Sequence, residues 1–206
     1  MDRDDDTLPE RLTELVRAGF ATDDESARRV LASLDARDAR ERVLAFRVAA
    51  GRDLLDTPAW RRGLADDDPS VRREALVAIA DGGGDAAVLD AVLDRLGDPD
   101  PLVVEGAAFA LGERRYDAAL ERLIELVGHH DDPRCREAAV VALGAIGDDR
   151  GLAAVIGALD DKPAVRRRAV VALANFEGPD VDEALARARE DNDWQVRSAV
   201  DRLEAD

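Results

Sequence analysis

The amino-acid sequence predicts an all-α solenoid of stacked helical hairpins, and three observations carry the prediction. One phrase recurs, as "DDPSVRREALVAIADGGGD" (67–85), "DPDPLVVEGAAFALGE" (98–113), "DDPRCREAAVVALGAIGDD" (131–149) and "DDKPAVRRRAVVALANFEG" (160–178). With the proline as zero, the marks fall at Pro69, Pro101, Pro133, Pro163 and, with tryptophan substituted, Trp194, so their spacing is nearly constant. Such a fixed period marks repeated units, each burying its apolar face by stacking on its neighbours. Finally, the recurring offsets fit one stripe of a helix and not the alternate residues of a strand.

Each element follows from local chemistry. Two places after the mark stand Val71, Val103, Cys135, Val165 and Val196; six after it stand Ala75, Ala107, Ala139, Ala169 and Val200; ten after it stand Ile79, Leu111, Leu143 and Leu173. Asp68, Asp100, Asp132 and Asp193 precede the mark, where a carboxylate accepts from the free N–H groups of the first helical turn. Proline at the first helical position gives up a donor that has no partner there. A second, shorter helix is expected between marks, on Val88, Leu89, Val92 and Leu96, then Leu120, Leu123, Ile124 and Val127, then Leu152, Val155, Ile156 and Leu159. Turns such as "DGGG" and "FEGPD" separate the units.

The N-terminal third fits less well. "TLPE" (7–10) and "TDDE" (22–25) read as capping boxes, a threonine cap with a glutamate three places on. Helices are expected at roughly 8–19, 24–34, 38–50 and 57–65, but the repeat register slips before position 38. Residues 1–37 are therefore expected to form a helical cap. Residues 38–206 are expected to form the array, with units centred on 38–68, 69–100, 101–132, 133–162 and 163–193 and a terminal cap at 194–206. Terminal units are atypical because one face must meet water; "VDEALARARE" (181–190) and the charged "DRLEAD" suit that place.

Composition excludes several classes. The formal net charge is −17, from 32 Asp and 14 Glu against 28 Arg and one lysine, Lys162. So acidic a surface repels nucleic acid and anionic membranes, and the few aromatic side chains do not make a single-strand stacking platform. The Asp-rich, Lys-poor balance resembles cytoplasmic proteins of salt-loving microbes, where about 1 M salt shortens the Debye length to about 3 Å. The opening "MDRDDDTLPE" has neither a basic nor an apolar leader region, and no apolar run is long enough to span a membrane. One cysteine, Cys135, cannot form an internal disulfide. A cytoplasmic protein is expected.

The repeated phrase, D-x-D-P-x-V-R-x-x-A-x-x-A-L-G in its fullest form, resembles the HEAT repeat, and within that group the short HEAT-like repeats of phycobilisome lyases. The resemblance covers about 38–206. It implies an all-α, right-handed α-solenoid, with the first helix of each pair on the outer curve and the helix after the Asp-Pro turn on the inner one. It also implies an Asp–Arg ladder between units, which by position would join Asp66, Asp98, Asp160 and Asp191 with Arg72, Arg136, Arg166 and Arg197. His130 and Val104 depart from that pattern, so an interruption is expected there.

No catalytic constellation emerges. "HHDDPRC" (129–135) gathers both histidines, the cysteine and two aspartates, but its spacing matches no closed zinc site. The di-iron hydroxylases of HEAT type carry His-Glu pairs, and no His-Glu dipeptide occurs. Ser26, Ser33, Ser70 and Ser198 lie in no G-x-S-x-G elbow. The glycines of "DGGGD" end a helix and are followed by no Gly-Lys-Ser/Thr. No cofactor and no metal site is expected.

What remains is the inner surface. Offsets +4 and +8 on the helices after the mark should face the groove. The +8 row reads Val77, Phe109, Val141 and Val171, and the +4 row reads Arg73, Glu105, Glu137 and Arg167. An apolar line bordered by both signs of charge is what a groove for a partner's helix or peptide requires. The expected function is a non-enzymatic adaptor or scaffold that docks another protein there. The alternative is a lyase-like enzyme subunit or chaperone that seats a cofactor on a client protein.

Overall fold

The computed structural model describes residues 7–203; the opening "MDRDDD" and the end of the closing "DRLEAD" lie outside the described residues. The chain divides into two compact units, Met1–Ala91 and Val92–Asp206. Among the described residues every regular element is helical. The fold is an α-solenoid of helical hairpins, and no described helix is long and apolar enough to cross a membrane.

The first unit holds α1 (Leu8–Phe20), α2 (Asp24–Ser33), α3 (Ala39–Gly51), α4 (Thr57–Leu64), α5 (Pro69–Ala80) and the start of α6 (Ala86–Leu93). Leu15, Ala18, Val30, Ala45 and Ala49 form a buried cluster among α1, α2 and α3. Phe46 meets Trp60 edge to face, ring centroids 5.4 Å apart. The capping signal at "TLPE" holds, with Glu10 accepting from the Thr7 N–H at 2.8 Å. At "TDDE" the cap moves by one place, from Thr22 to Asp23, whose two carboxylate oxygens take the Ser26 N–H and Oγ–H, both at 2.8 Å. A carboxylate accepts two such bonds at once, which a threonine hydroxyl in that place does less well.

The second unit holds α7 (Pro101–Glu113), α8 (Leu120–His129), α9 (Pro133–Ile146), α10 (Leu152–Gly157), α11 (Pro163–Leu173), α12 (Pro179–Arg189) and α13 (Trp194–Leu203). The prolines open their helices as expected. Asp100, Asp132 and Asp193 accept from the N–H groups of Leu102, Arg134 and Gln195 at 2.8, 2.9 and 2.8 Å; in the first unit Asp68 takes Ser70 at 2.8 Å. The second unit buries its recurring stripe, from Val103 and Cys135 through Ala107, Ala139 and Ala169 to Leu111, Leu143 and Leu173. Small residues let successive helices approach closely. A Cβ added at Gly112 would lie 2.8 Å from Ala142 Cα, and one at Gly144 only 2.7 Å from Ala172 Cβ.

A ladder of arginines ties the hairpins together. Arg42 reaches Asp66 through Nε and Nη2 at 2.8 and 2.7 Å. Arg136 reaches Asp161 in the same way at 2.6 and 2.7 Å, and Arg166 reaches Asp191 at 2.8 and 2.7 Å. Meanwhile Nη1 donates to carbonyls of the arginine's own turn: Ala36 for Arg42, Asp66 for Arg72, His130 for Arg136, Asp161 for Arg166 and Asp191 for Arg197. Each guanidinium thus closes its own turn and, on these three rungs, grips the next, using the planar fork that lysine lacks.

Two details correct the positional ladder. Its third carboxylate is Asp161, not Asp160. The interval from Pro133 to Pro163 is shorter than the two before it, and a 3-10 turn (Ala158–Asp160) runs up to Asp161. Asp160 is left in that turn with its side chain 75% exposed, beside Arg187 at 3.9 Å. The ladder also begins one hairpin earlier, at Arg42, which follows Asp38 and Ala39 where later units have Asp-Pro. The expected interruption falls at the fully buried Val104. There His130 Nδ1 accepts the Asp132 N–H at 3.1 Å, the local bond that Asp66, Asp98 and Asp191 make with the N–H two places on.

Candidate functional site

The helices after the Asp-Pro turns carry the residues singled out above. In the second unit α7 packs on α9 and α9 on α11. This places Glu105 and Phe109, Glu137 and Val141, and Arg167 and Val171 on three adjacent helices, each pair one turn apart. In the first unit Arg73 and Val77 lie on α5, which packs on α3.

The sequence left open whether the +8 row would be exposed or wedged between helices. Phe109 is 50% exposed, Val171 50% and Val77 56%, while Val141 is half-buried. Leu102, nearer the start of α7, is exposed as well. Isolated exposed apolar residues are ordinary, but in the second unit Phe109, Val141 and Val171 recur at one offset on successively packed helices.

Sequence reasoning missed the same row on α1. Counting from Leu8 puts Val16 at +8 and Phe20 at +12, and they are 48% and 87% exposed. The proline there, Pro9, stands one place later than in the repeated phrase and follows no aspartate, which hid the register. On α3 the offset +8 falls at Arg47, whose Nε and Nη2 hold Glu74 of α5 at 2.7 and 2.6 Å.

Charge on this face is settled between helices in some places and not in others. In the second unit Arg168 Nε meets Glu137 Oε1 at 2.9 Å. Glu105 and Glu113 on α7 have no such partner among the described residues. Arg167 makes one long contact, from Nη1 to Gln195 Oε1 at 3.4 Å.

The residues weighed for chemistry are occupied elsewhere. Cys135 is buried, its Sγ donates to the Pro101 carbonyl at 3.4 Å, and burial pushes its thiol up to about 11. His129 Nδ1 lies 3.1 Å from the Glu125 carbonyl, within its own helix. The Ser26 and Ser70 hydroxyls bond Asp23 and Asp68. Among the described residues no three His, Cys, Asp or Glu side chains are grouped to hold a metal ion. A side-chain hydrogen bond from Arg134 holds the Asp132 carboxyl down to about 2, and Arg150 does the same for Asp148. These are capping interactions at helix starts.

Comparison with known proteins agrees with this geometry. The family model described as HEAT repeats matches residues 57–144, 89–163 and 129–204. No curated protein is significantly similar in sequence. Among solved structures, the complex of CpcE and CpcF of phycocyanin lyase from Nostoc sp. PCC7120 is 23% identical. The match covers 84% of this chain and 74% of that one, with a TM-score of 0.64. A computationally designed armadillo repeat protein for modular peptide recognition is 18% identical over 85% of this chain and 97% of that one, TM-score 0.60. A designed armadillo repeat protein in complex with the peptide (KR)4 is 18% identical over 97% and 99%, TM-score 0.59. Identities this low speak to the fold, whereas the family match spans most of the sequence. With its repeated Asp-Pro caps, alanine stripe and arginine ladder, the chain belongs to the HEAT-repeat family.

Proposed function

We propose that the protein is a non-enzymatic adaptor whose exposed row on α7, α9 and α11 docks a segment of another protein. The observation that carries this reading is Phe109, a large ring held half exposed on α7, with Val141 and Val171 at the same offset on the next two helices of the series. Fully burying such a ring is worth about 1.5–3 kcal/mol, so a partner covering the exposed half gains roughly half of that. Aromatic anchors on preorganised elements are where binding energy concentrates. The designed armadillo proteins among the similar structures recognise peptides on a related scaffold.

The test is a photo-cross-linking amino acid placed at position 109, 171 or 121 in cells that naturally express the chain. Position 121 is exposed on α8, away from the row. Positions 109 and 171 should yield adducts with one and the same protein, and 121 should not. Adducts independent of position would remove the reading. The similarity to a phycocyanin lyase complex supports a second reading, a chaperone that seats a cofactor on a client. A light-absorbing small molecule that co-purifies with the wild-type chain and is lost from Phe109→Asp would favour it.

A further inference from the structure

We infer that the segment docked on this face presents a basic side chain, arginine or lysine, to α7 and an acidic one to α11; this rests on the docking role proposed above. On α9 and α11 the +4 acid of one helix is met by the +5 arginine of the next, as Glu137 and Arg168 at 2.9 Å. In the first unit Glu74 is likewise met from the neighbouring helix, by both arms of Arg47. The same offsets from α7 to α9 join Glu105 to position 138, which is Ala138. That offset supplies Glu105 no guanidinium among the described residues, and Arg134 of α9, whose charge reaches Glu105, is held by Asp132 through Nε and Nη2.

A second carboxylate reinforces the first. Glu105, Phe109 and Glu113 recur at every fourth position, so they line one face of α7. Glu113 is the last residue of that helix, where the dipole already disfavours negative charge and no basic residue stands in the last turn. A half-exposed ring bracketed by two carboxylates that form no ion pair among the described residues suits a cationic side chain, whose alkyl stem covers the ring while its head meets the glutamates.

The charge reverses at the other end of the row. Among the described residues Arg167 has one long contact, with Gln195, and offset +8 on α13 is the exposed Arg202, whose Nε bonds the Ser198 carbonyl of its own helix. Two steps of about 8–10 Å between packed helices put Val171 roughly 16–20 Å from Phe109. An extended segment of about six residues covers that distance.

The test uses the full chain and synthetic peptides. Arg-Ser-Leu-Ser-Leu-Ser-Glu, whose charged and leucine side chains share one face when extended, is blocked at its C-terminus, carries a nitroxide at its N-terminus and is titrated against isotope-labelled protein by NMR, with Ser-Ser-Leu-Ser-Leu-Ser-Ser as the neutral control. The charged peptide should give saturable shifts at Phe109, Val141 and Val171 and paramagnetic broadening concentrated on α7. The double variant Glu105→Gln/Glu113→Gln should weaken it about fivefold, while the spectrum outside α7 stays that of the wild type. Equal binding of both peptides, unchanged by the double variant, would overturn the inference and leave the docking face standing. Broadening on α11, shifts scattered over the outer helices, or no saturable shift would also overturn it, and the cross-linking result then judges the docking role by itself.

Discussion

Replacing Gly144 by alanine probes the close approach of α9 and α11 directly. An added Cβ would stand 2.7 Å from Ala172 Cβ and 2.9 Å from Ala172 Cα, where ordinary van der Waals contact begins at 3.4 Å. Both atoms must therefore retreat by a sizeable fraction of an ångström. One of them is backbone, so no rotamer change relieves the clash and the helices must part. Overpacking of this kind costs about 1–3 kcal/mol, against a gain of about 1 kcal/mol in helix propensity. With backbone involved the cost sits at the upper end, for a net loss of about 2 kcal/mol. For a chain of about 200 residues that lowers Tm by roughly 4–8 °C. The control is Gly128→Ala in α8, where an added Cβ meets nothing within 4 Å; it should gain about 0.5–1 kcal/mol. Thermal melts followed by circular dichroism compare the two. If Gly144→Ala melts at or above the wild type, the tight apposition of successive Asp-Pro helices is refuted.

The ladder makes a sharper distinction between neighbours: Asp161→Asn should cost about 1–3 kcal/mol because it strands the largely buried Arg136, whereas Asp160→Asn should be silent in the same denaturant titration. Restoring the missing rung is also measurable, since Val104→Arg alone buries an unpaired charge and should destabilise strongly, and adding His130→Asp should recover most of the loss. Acid should weaken the fold through the depressed carboxylates. Asp161 and Asp191 have folded values lowered by bonded arginines. Their contribution is complete above the unfolded value of about 3.9 and is lost as pH falls below it through the folded values. Carboxyl-carbon NMR should place Asp132 at about 2. With a net charge of −17, Tm should rise from low to molar KCl as self-repulsion is screened, and a flat profile would count against that expectation.

The parts legible in the sequence were those set by local chemistry. Asp and Pro at a helix start, and alanine and leucine on one stripe, declare themselves because capping and close packing need those residue types. Asp161 was misplaced because ladder position was counted from the proline, whereas the path of a shortened connection decides which carboxylate turns inward. Arg42 escaped because Ala39 stands where proline marks later units. On α1 the absence of any Asp-Pro mark concealed Val16 and Phe20. The exposure of Phe109 and Val171 depends on the tilt and separation of neighbouring helices, which no local signal encodes. Ala138 marks a gap only by contrast with the contact of Arg168 with Glu137, which no local signal displays.

The most direct measurement of the central claim is calorimetric titration of the partner identified by cross-linking against wild type, Phe109→Ala and Glu121→Ala. Burying the exposed half of the ring predicts that Phe109→Ala weakens Kd by up to about tenfold, with Glu121→Ala unchanged. Equal affinities for wild type and Phe109→Ala would contradict docking on α7, α9 and α11.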